Sequence, residues 1–233
     1  MEEILRQGLA QLGIETPPGA VERLSEYGER LLARNAVVNL TAIREPEGVA
    51  RLHFLDSAAL LKTADFSGRR VIDIGTGAGF PGIPLKLLQP DLTLTVIDGV
   101  GKKVDFIRES CAAMDIEVEC LWGRVEELPR LRGAFDIAVS RAVAELDVLA
   151  ELSLPQVGIG GLFIAMKGPD CGEEVAKAEF AVKALGGRVR DIVRYTVPGT
   201  DVEHAAVLME KVKPTPPQYP RRYAQIKKKP LRG

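Results

Sequence analysis

Three glycines spaced two apart, Gly75, Gly77 and Gly79, close the apolar run Val71-Ile72-Asp73-Ile74 and lead through Phe80 into Pro81-Gly82. Such a run reads as a strand buried on both faces. Glycines at that spacing let the backbone turn tightly and approach a ligand before a helix begins. The pattern is G-x-G-x-G, and the dinucleotide fingerprint G-x-G-x-x-G fails because position 80 is Phe. Nineteen residues beyond Gly79 a second strand-like run, Leu94-Thr95-Val96-Ile97, ends on Asp98. A carboxylate there suits the two hydroxyls of a ribose. Turn and acid together imply an adenosine-containing cofactor. The departure from the dinucleotide pattern favours S-adenosylmethionine, whose cationic arm carries no pyrophosphate. The cofactor contacts are then expected from Asp73, Gly75, Thr76, Gly77, Ala78, Gly79, Phe80 and Asp98. The competing reading is a turn that serves only a buried crossover.

Other polar residues fall where strands should end, the side on which open parallel sheets bind ligands. Asp73 is placed to hydrogen-bond the turn, to meet a ligand ammonium, or simply to cap. After a third strand come Trp122-Gly123-Arg124-Val125-Glu126, where Glu126 or a neighbouring amide could meet an adenine amino group. A plain helix-start carboxylate is the alternative. Arg141 follows a fourth strand and is costly there without a partner. A cofactor carboxylate, Asp73 and a substrate phosphate are the candidates. Lys167, on a turn after the fifth strand, faces substrate or lies on a solvated rim. The fourth strand is followed neither by an Asn/Asp-Pro-Pro-Tyr string, which would hold a planar amine, nor by a nearby cysteine to attack a pyrimidine. Both absences favour an acceptor that is already nucleophilic, such as a purine ring nitrogen. Near the N-terminus, Asn39-Leu40-Thr41 and the pair His53 and Asp56, on one helix face, read as functional or as a solvated pair or cap. With two histidines and three cysteines in no C-x-x-C, no metal site is expected.

The elements that must position these groups follow from periodicity. Residues 1–64 read as helices, with Leu24, Tyr27, Leu31 and Leu32 near helical spacing and Pro46 suited to a first turn. From 70 onward strands at 70–74, 93–97, 116–121, 135–139 and 162–166 alternate with helices. Gly158 to Gly161 are read as the turn into the fifth of these strands. A hairpin of strands 189–196 and 205–212 finishes the fold. The expectation is an α/β, doubly wound, mostly parallel sheet with an antiparallel edge, divided into an N-terminal helical cap (1–64) and a larger domain (65–233).

Composition excludes some classes. Apolar residues make up 46% and charged residues 27%, an ordinary soluble balance. No 18-residue apolar stretch suggests a membrane span, and residues 4–14 are too short and polar for a signal peptide. Three cysteines, an odd number, suit a reducing cytoplasm. The net charge of −1 hides a segregation: residues 211–233 carry eight basic side chains and no acid, leaving a net of −9 on the rest. A basic, peripheral and flexible end on an acidic body is a footprint for an anionic partner or merely a solvated tail.

Taken together, these strings resemble the glucose-inhibited division protein B family, the bacterial small-subunit ribosomal RNA guanine-N7 methyltransferases. The resemblance rests on Asn39-Leu40-Thr41, His53 to Ser57, the string Asp73 to Pro84, Lys102-Lys103, Arg124 with Glu126, Arg141-Ala142-Val143, Lys167-Gly168, Tyr219-Pro220-Arg221-Arg222 and Lys228-Lys229-Pro230-Leu231. Gly99, Val100 and Val125 depart from residues common in the family. The resemblance implies a seven-stranded sheet of the class I methyltransferase type and S-adenosylmethionine as cofactor. It implies methylation at N7 of a guanine in the 530 loop of 16S ribosomal RNA. It adds Arg124, Val125, Glu126 and Arg141 to the cofactor contacts. The RNA side is expected from Asn39, His53, Arg124, Arg141, Lys167, Arg221, Arg222, Lys227, Lys228 and Lys229. Guanine N7 loses no proton on methylation, so no general base is expected, and Arg141 and Lys167 are expected as positioning groups. The partner would be 16S ribosomal RNA or the small subunit, and the protein a cytoplasmic monomer. A small-molecule methyltransferase and a non-catalytic RNA-binding protein are the rival classes. The basic tail argues against the first, and the intact turn with Asp98 against the second.

Overall fold

The computed structural model describes residues 1–141 and 144–232, so Ala142 and Val143 of the Arg-Ala-Val string, and Gly233, lie outside the described residues. Among the described residues seven strands form one sheet in the order β3-β2-β1-β4-β5-β7-β6. They are β1 (Arg70–Ile74), β2 (Thr93–Asp98), β3 (Glu119–Trp122), β4 (Phe135–Arg141), β5 (Val157–Lys167), β6 (Gly187–Thr196) and β7 (Glu203–Lys211). Strands β1 to β5 run parallel, and β7 is antiparallel to both β5 and β6. The order reverses between β1 and β4, which opens a crevice beyond their carboxyl ends.

β1 and β2 are apolar on both faces because helices cover both. On one face α5 (Gly82–Leu88) and α6 (Gly101–Ala113) bury Ile83, Leu85, Phe106 and Ile107 with Leu94 and Val96. On the other, α7 (Leu146–Ser153) and α8 (Gly172–Ala184) bury Leu149 and Val182 with Ile72, Ile97 and Ala138. The N-terminal helices are α1 (Glu2–Gln11), α2 (Ala20–Asn35) and α3 (Pro46–Val49), which opens on Pro46. α3 continues through a π-helical turn, Ala50–Leu55, into α4 (Asp56–Ala58) and a 3₁₀ turn, Ala59–Lys62. Val21, Leu24, Tyr27 and Leu31, three or four apart, make one buried stripe on α2. Burying each leucine of such a stripe is worth about 1.5–3 kcal/mol. Leu5, Leu24, Tyr27 and Phe54 share one buried cluster with Val71, Ile83 and Phe106. Residues 1–64 therefore add a layer to the core of the sheet.

Two expectations are corrected. Residues 158–161 are not a turn but the first half of β5. Gly161 passes so near Asp136 that a Cβ would stand 2.4 Å from its carbonyl oxygen, and the β4–β5 register slips between Phe135 and Ile137. The glycines mark a bulge and a close backbone approach, which composition alone does not separate from a turn. The basic end is not a flexible tail either. It contains α9 (Tyr223–Lys228), whose Ile226 is fully buried in the second cluster, with Tyr219 and Tyr223 packed beside it.

Candidate active site

The glycine turn is built as a pedestal. Gly75, Gly77 and Gly79 have φ of 71°, 62° and 96°, which side chains resist. Gly75 and Thr76 donate their N–H groups to the Ile97 carbonyl at 2.8 and 3.2 Å, carrying the β1–β2 ladder into the turn. Asp73 stands beneath: its Oδ2 accepts the Thr76 hydroxyl at 2.7 Å and the Gly82 N–H at 2.8 Å. Its Oδ1 is buried without a partner among the described residues. Burial pushes this carboxyl up to about 6, against the pull of those two bonds. From above, Tyr27 of α2 donates to the Ala78 carbonyl at 2.9 Å, and a Cβ on Gly79 would stand 2.5 Å from its hydroxyl.

Beyond β1, β2 and β3 lies a cleft of about 380 Å³ whose lining includes Gly75, Asp98, Arg124, Val125, Glu126 and Tyr223. Asp98 accepts the Gly77 N–H at 2.9 Å through Oδ2 and the Val100 N–H at 2.8 Å through Oδ1. An ionised carboxylate offers about four acceptor sites, so capacity for two hydroxyls remains. Positions 77, 99 and 123 have open space where a Cβ would project. Backbone held open at three glycines beside a carboxylate fits an adenosine-bearing group. Glu126 Oε1 accepts the Tyr223 N–H at 3.3 Å, and burial raises its pKa.

A second cleft, of about 400 Å³, opens where β4 and β5 end and β7 begins against the helical layer, and its lining includes His53, Asp56, Arg141, Met166, Lys167 and His204. Register explains the gathering. Arg141 pairs with Met166, Lys167 with Ala205, and His204 with Tyr195 on β6. Arg141 donates to Asp56 Oδ2 at 3.1 Å, to the Leu52 carbonyl at 3.0 Å and to His53 Nδ1 at 2.9 Å. Since Arg only donates, His53 presents a bare Nδ1, and its Nε2–H donates to Thr41 Oγ1 at 2.8 Å. Burial and then the Arg141 charge lower the His53 pKa to about 3, so the ring is neutral. Asp56, 1% exposed, also accepts from Tyr195 at 2.9 Å and His204 at 2.8 Å. Burial favours its neutral form, but the His204 bond and the Arg141 charge more than reverse this, and its pKa is lowered. The Asp56 bond in turn raises that of His204. Phe80, buried directly after the glycine turn, packs against two residues that line the second cleft: its ring stacks on His53 with centroids 4.4 Å apart, and the Arg141 guanidinium lies 5.2 Å from its centre.

Several expected roles change accordingly. Arg141 lines the second cleft. Its partners are Asp56, His53 and the Leu52 carbonyl, none of the three anticipated. His53 and Asp56 are a buried network, not a solvated pair or cap. Lys167 is neither on a solvated rim nor free: it donates to Glu174 at 2.6 Å and to the Ala144 carbonyl at 2.7 Å. Asn39 is exposed, whereas Asn35 is buried and holds the Leu40 and Thr41 N–H groups at 2.8 and 3.0 Å. Of the basic end, Arg221 is bound to the buried Glu151, Arg232 to Asp147 and Glu145, and Lys211 to the Leu154 and Leu185 carbonyls. Arg222, Lys227, Lys228 and Lys229 are exposed. Sequence reasoning missed Tyr27, Tyr195, His204 and Tyr223 as site residues. Each reaches its place from an element distant in the chain, and no local spacing signals that. No group of metal-binding side chains occurs among the described residues, and no helix there is long and apolar enough to cross a membrane.

Comparison with known proteins agrees with this geometry. Residues 20–200 match the family described as rRNA small subunit methyltransferase G. A ribosomal RNA small subunit methyltransferase G of Pelotomaculum thermopropionicum is 40% identical, covering 99% of both chains. One of Caldanaerobacter subterraneus subsp. tengcongensis is 43% identical, covering 98% of both. Among solved structures, a Pyrococcus furiosus methyltransferase superposes with a TM-score of 0.56 at 18% identity, covering 81% of this chain and all of that one. M. jannaschii TYW2, crystallised in complex with AdoMet, gives 0.55 at 12% identity, over 67% of this chain and 75% of that one. These structural likenesses show the fold, a Rossmann-like sheet of the class I methyltransferase type.

Proposed function

The chain belongs to the rRNA small subunit methyltransferase G family, and from that premise we propose that it transfers the methyl group of S-adenosylmethionine to N7 of a guanine in the 530 loop of 16S ribosomal RNA. The observation that carries the reading is the junction at Phe80. Phe80, the residue that follows the last glycine of the turn, packs directly against His53 and Arg141 of the second cleft. A donor in one cleft and an acceptor in the other would meet at that ring.

The cofactor, when bound, supplies an electrophilic methyl on a cationic sulfur. The chain contributes position and exclusion of water. Asp98 would hold the ribose, and the Gly75–Gly79 backbone would bound the nucleoside arm. Phe80 and Met166 keep the junction dry. N7 attacks with its lone pair and no proton leaves, so catalysis asks for alignment in a desolvated pocket and for no base. The neutral His53 is consistent with that demand, because the guanine becomes cationic as its N7–methyl bond forms. The Arg141 charge is offset by Asp56, which fits it to position groups without repelling the developing cation. A base stacked in a helix would hide N7 from this cleft, so a loop nucleotide is the natural substrate. We take the RNA to dock across the exposed cations of the C-terminal segment and Asn39, with 16S RNA or the small subunit as partner. We further take the enzyme as a cytoplasmic monomer, a compartment that suits three free cysteines.

The test is incubation of purified protein and methyl-labelled cofactor with small subunits or deproteinised 16S RNA, followed by nuclease mapping and mass analysis. One methyl on a guanine of the 530 loop, as a base-labile N7 adduct, is expected. Label on another position or only on small molecules would overturn the reading.

A further inference from the structure

The C-terminal segment does more than bring cations to the surface. It returns across α7 and closes the nucleoside cleft. Arg132 donates to the Thr215, Pro216 and Tyr219 carbonyls, the second of these at 2.9 Å. Arg221 binds the fully buried Glu151 through its backbone N–H at 2.9 Å and its guanidinium at 2.8 and 2.6 Å. Ile226 then plugs α9 into the core. These anchors lie on either side of Tyr223 and secure the strap without needing its ring. The ring is half-buried and is part of the lining of the cleft that holds Asp98. The residue is fixed there from two directions: Glu126 accepts its backbone N–H, and the Arg124 guanidinium stands 4.7 Å from the ring centre.

Register says which part of a nucleoside would reach it. Asp98 pairs directly with Trp122, so the chain leaving β3, Gly123 to Glu126, lies beside the ribose acid. A nucleoside whose ribose meets Asp98 places its base toward that chain. On that side the lining is Ile97, Val125 and Leu152 with Tyr223, beside Arg124 and Glu126, a slot with one aromatic ring in its wall. A flat π-system set in such a slot binds by stacking, which any purine face supports. Glu126, the residue that the sequence suggested for the adenine amino group, gives one oxygen to holding the strap.

We propose that Tyr223 is a cofactor-positioning residue: the C-terminal strap supplies, through its ring, the aromatic wall of the adenine site. The inference rests on the assignment of this cleft to S-adenosylmethionine. Affinity for the nucleoside therefore depends on Tyr223, 144 residues beyond Gly79 of the glycine turn in the chain.

The experiment is calorimetry on the full-length protein with two probes, S-adenosylhomocysteine and adenosine, for wild type, Tyr223→Phe, Tyr223→Leu and Asp98→Ala. The Leu variant keeps bulk in the slot, so the strap stays seated while the π-face is removed. A melting curve for each variant checks that seating. Tyr223→Leu should bind both probes about tenfold more weakly, within the range of base–aromatic stacking. Tyr223→Phe should stay within about twofold, because the ring is retained. An equal factor on both probes would locate the contact on the nucleoside. Wild-type affinity in Tyr223→Leu, or a loss in Tyr223→Phe as large as in Tyr223→Leu, overturns the proposal. If Asp98→Ala loses binding while Tyr223→Leu does not, the strap inference fails and the cofactor cleft stands. If wild type binds neither probe, the cofactor assignment itself has failed.

Discussion

Arg221 separates a docking charge from a structural one. Glu151 is fully buried, and three of its contacts come from Arg221, two of them through the guanidinium. Arg221→Ala leaves the backbone N–H but strands the carboxylate. Breaking a buried pair by removing one partner costs about 3–5 kcal/mol. Arg221 is itself 23% exposed, and water could enter the space it leaves, so about 3 kcal/mol is expected. In a chain of this size that corresponds to a melting point lower by about 6–12 °C. The comparison is Arg222→Ala, one residue on and exposed, which should change stability by less than about 0.5 kcal/mol. Urea unfolding at neutral pH measures both. The double variant Arg221→Ala with Glu151→Leu removes the stranded charge and should recover much of the loss, so the pair couples in a cycle. An Arg221→Ala protein that unfolds with wild type, or a double variant less stable than the single one, would refute the reasoning.

Asp98→Ala should weaken binding of S-adenosylhomocysteine at least tenfold, since each charge-assisted bond is worth about 1.5–3 kcal/mol; calorimetry showing equal affinity would remove Asp98 from the ribose. Neutralising Arg222, Lys227, Lys228 and Lys229 while keeping Arg221 should spare the fold and flatten the salt dependence of RNA binding by about 0.7 log units per log unit of salt for each phosphate no longer neutralised. Filter binding from low to high salt reads this, and an unchanged slope would make these residues a solvated surface. His53 and His204 should act on stability with opposite sign. The folded pKa of His53 is depressed to about 3, so the unfolded chain takes its proton first, and stability falls as pH drops from about 6.5 toward 3. His204 is raised, so its contribution is full below about 6.5 and is lost as pH rises through its folded value. Urea unfolding of wild type, His53→Asn and His204→Asn between pH 5 and 8 should show wild type losing ground to the first variant on acidification and gaining on the second. Parallel profiles for all three would contradict the network.

What the sequence determined by itself is local. Periods of two and 3.6, three glycines and a carboxylate nineteen residues on were enough for an alternating α/β chain with a nucleoside turn, because steric freedom at glycine and burial of apolar faces act between near neighbours. Gly75, Gly77, Gly79 and Asp98 needed no tertiary knowledge to be noticed. Tertiary structure decided which charges are spent and which are free. Asp56 looked like half of a surface pair, yet it sits at the centre of Arg141, Tyr195 and His204, brought from 85 to 148 positions away. Arg221 and Arg222 are adjacent and alike in sequence, and only the buried Glu151, 70 residues back, tells them apart. Gly158, Gly160 and Gly161 carried the signature of a turn, and whether glycine bends the chain or admits a neighbour depends on what passes beside it, here the Asp136 carbonyl. The same limit hid Tyr223. A charged or aromatic side chain acquires its role from the dielectric and the partners around it, and those come from strand order and register, which no single stretch of chain contains.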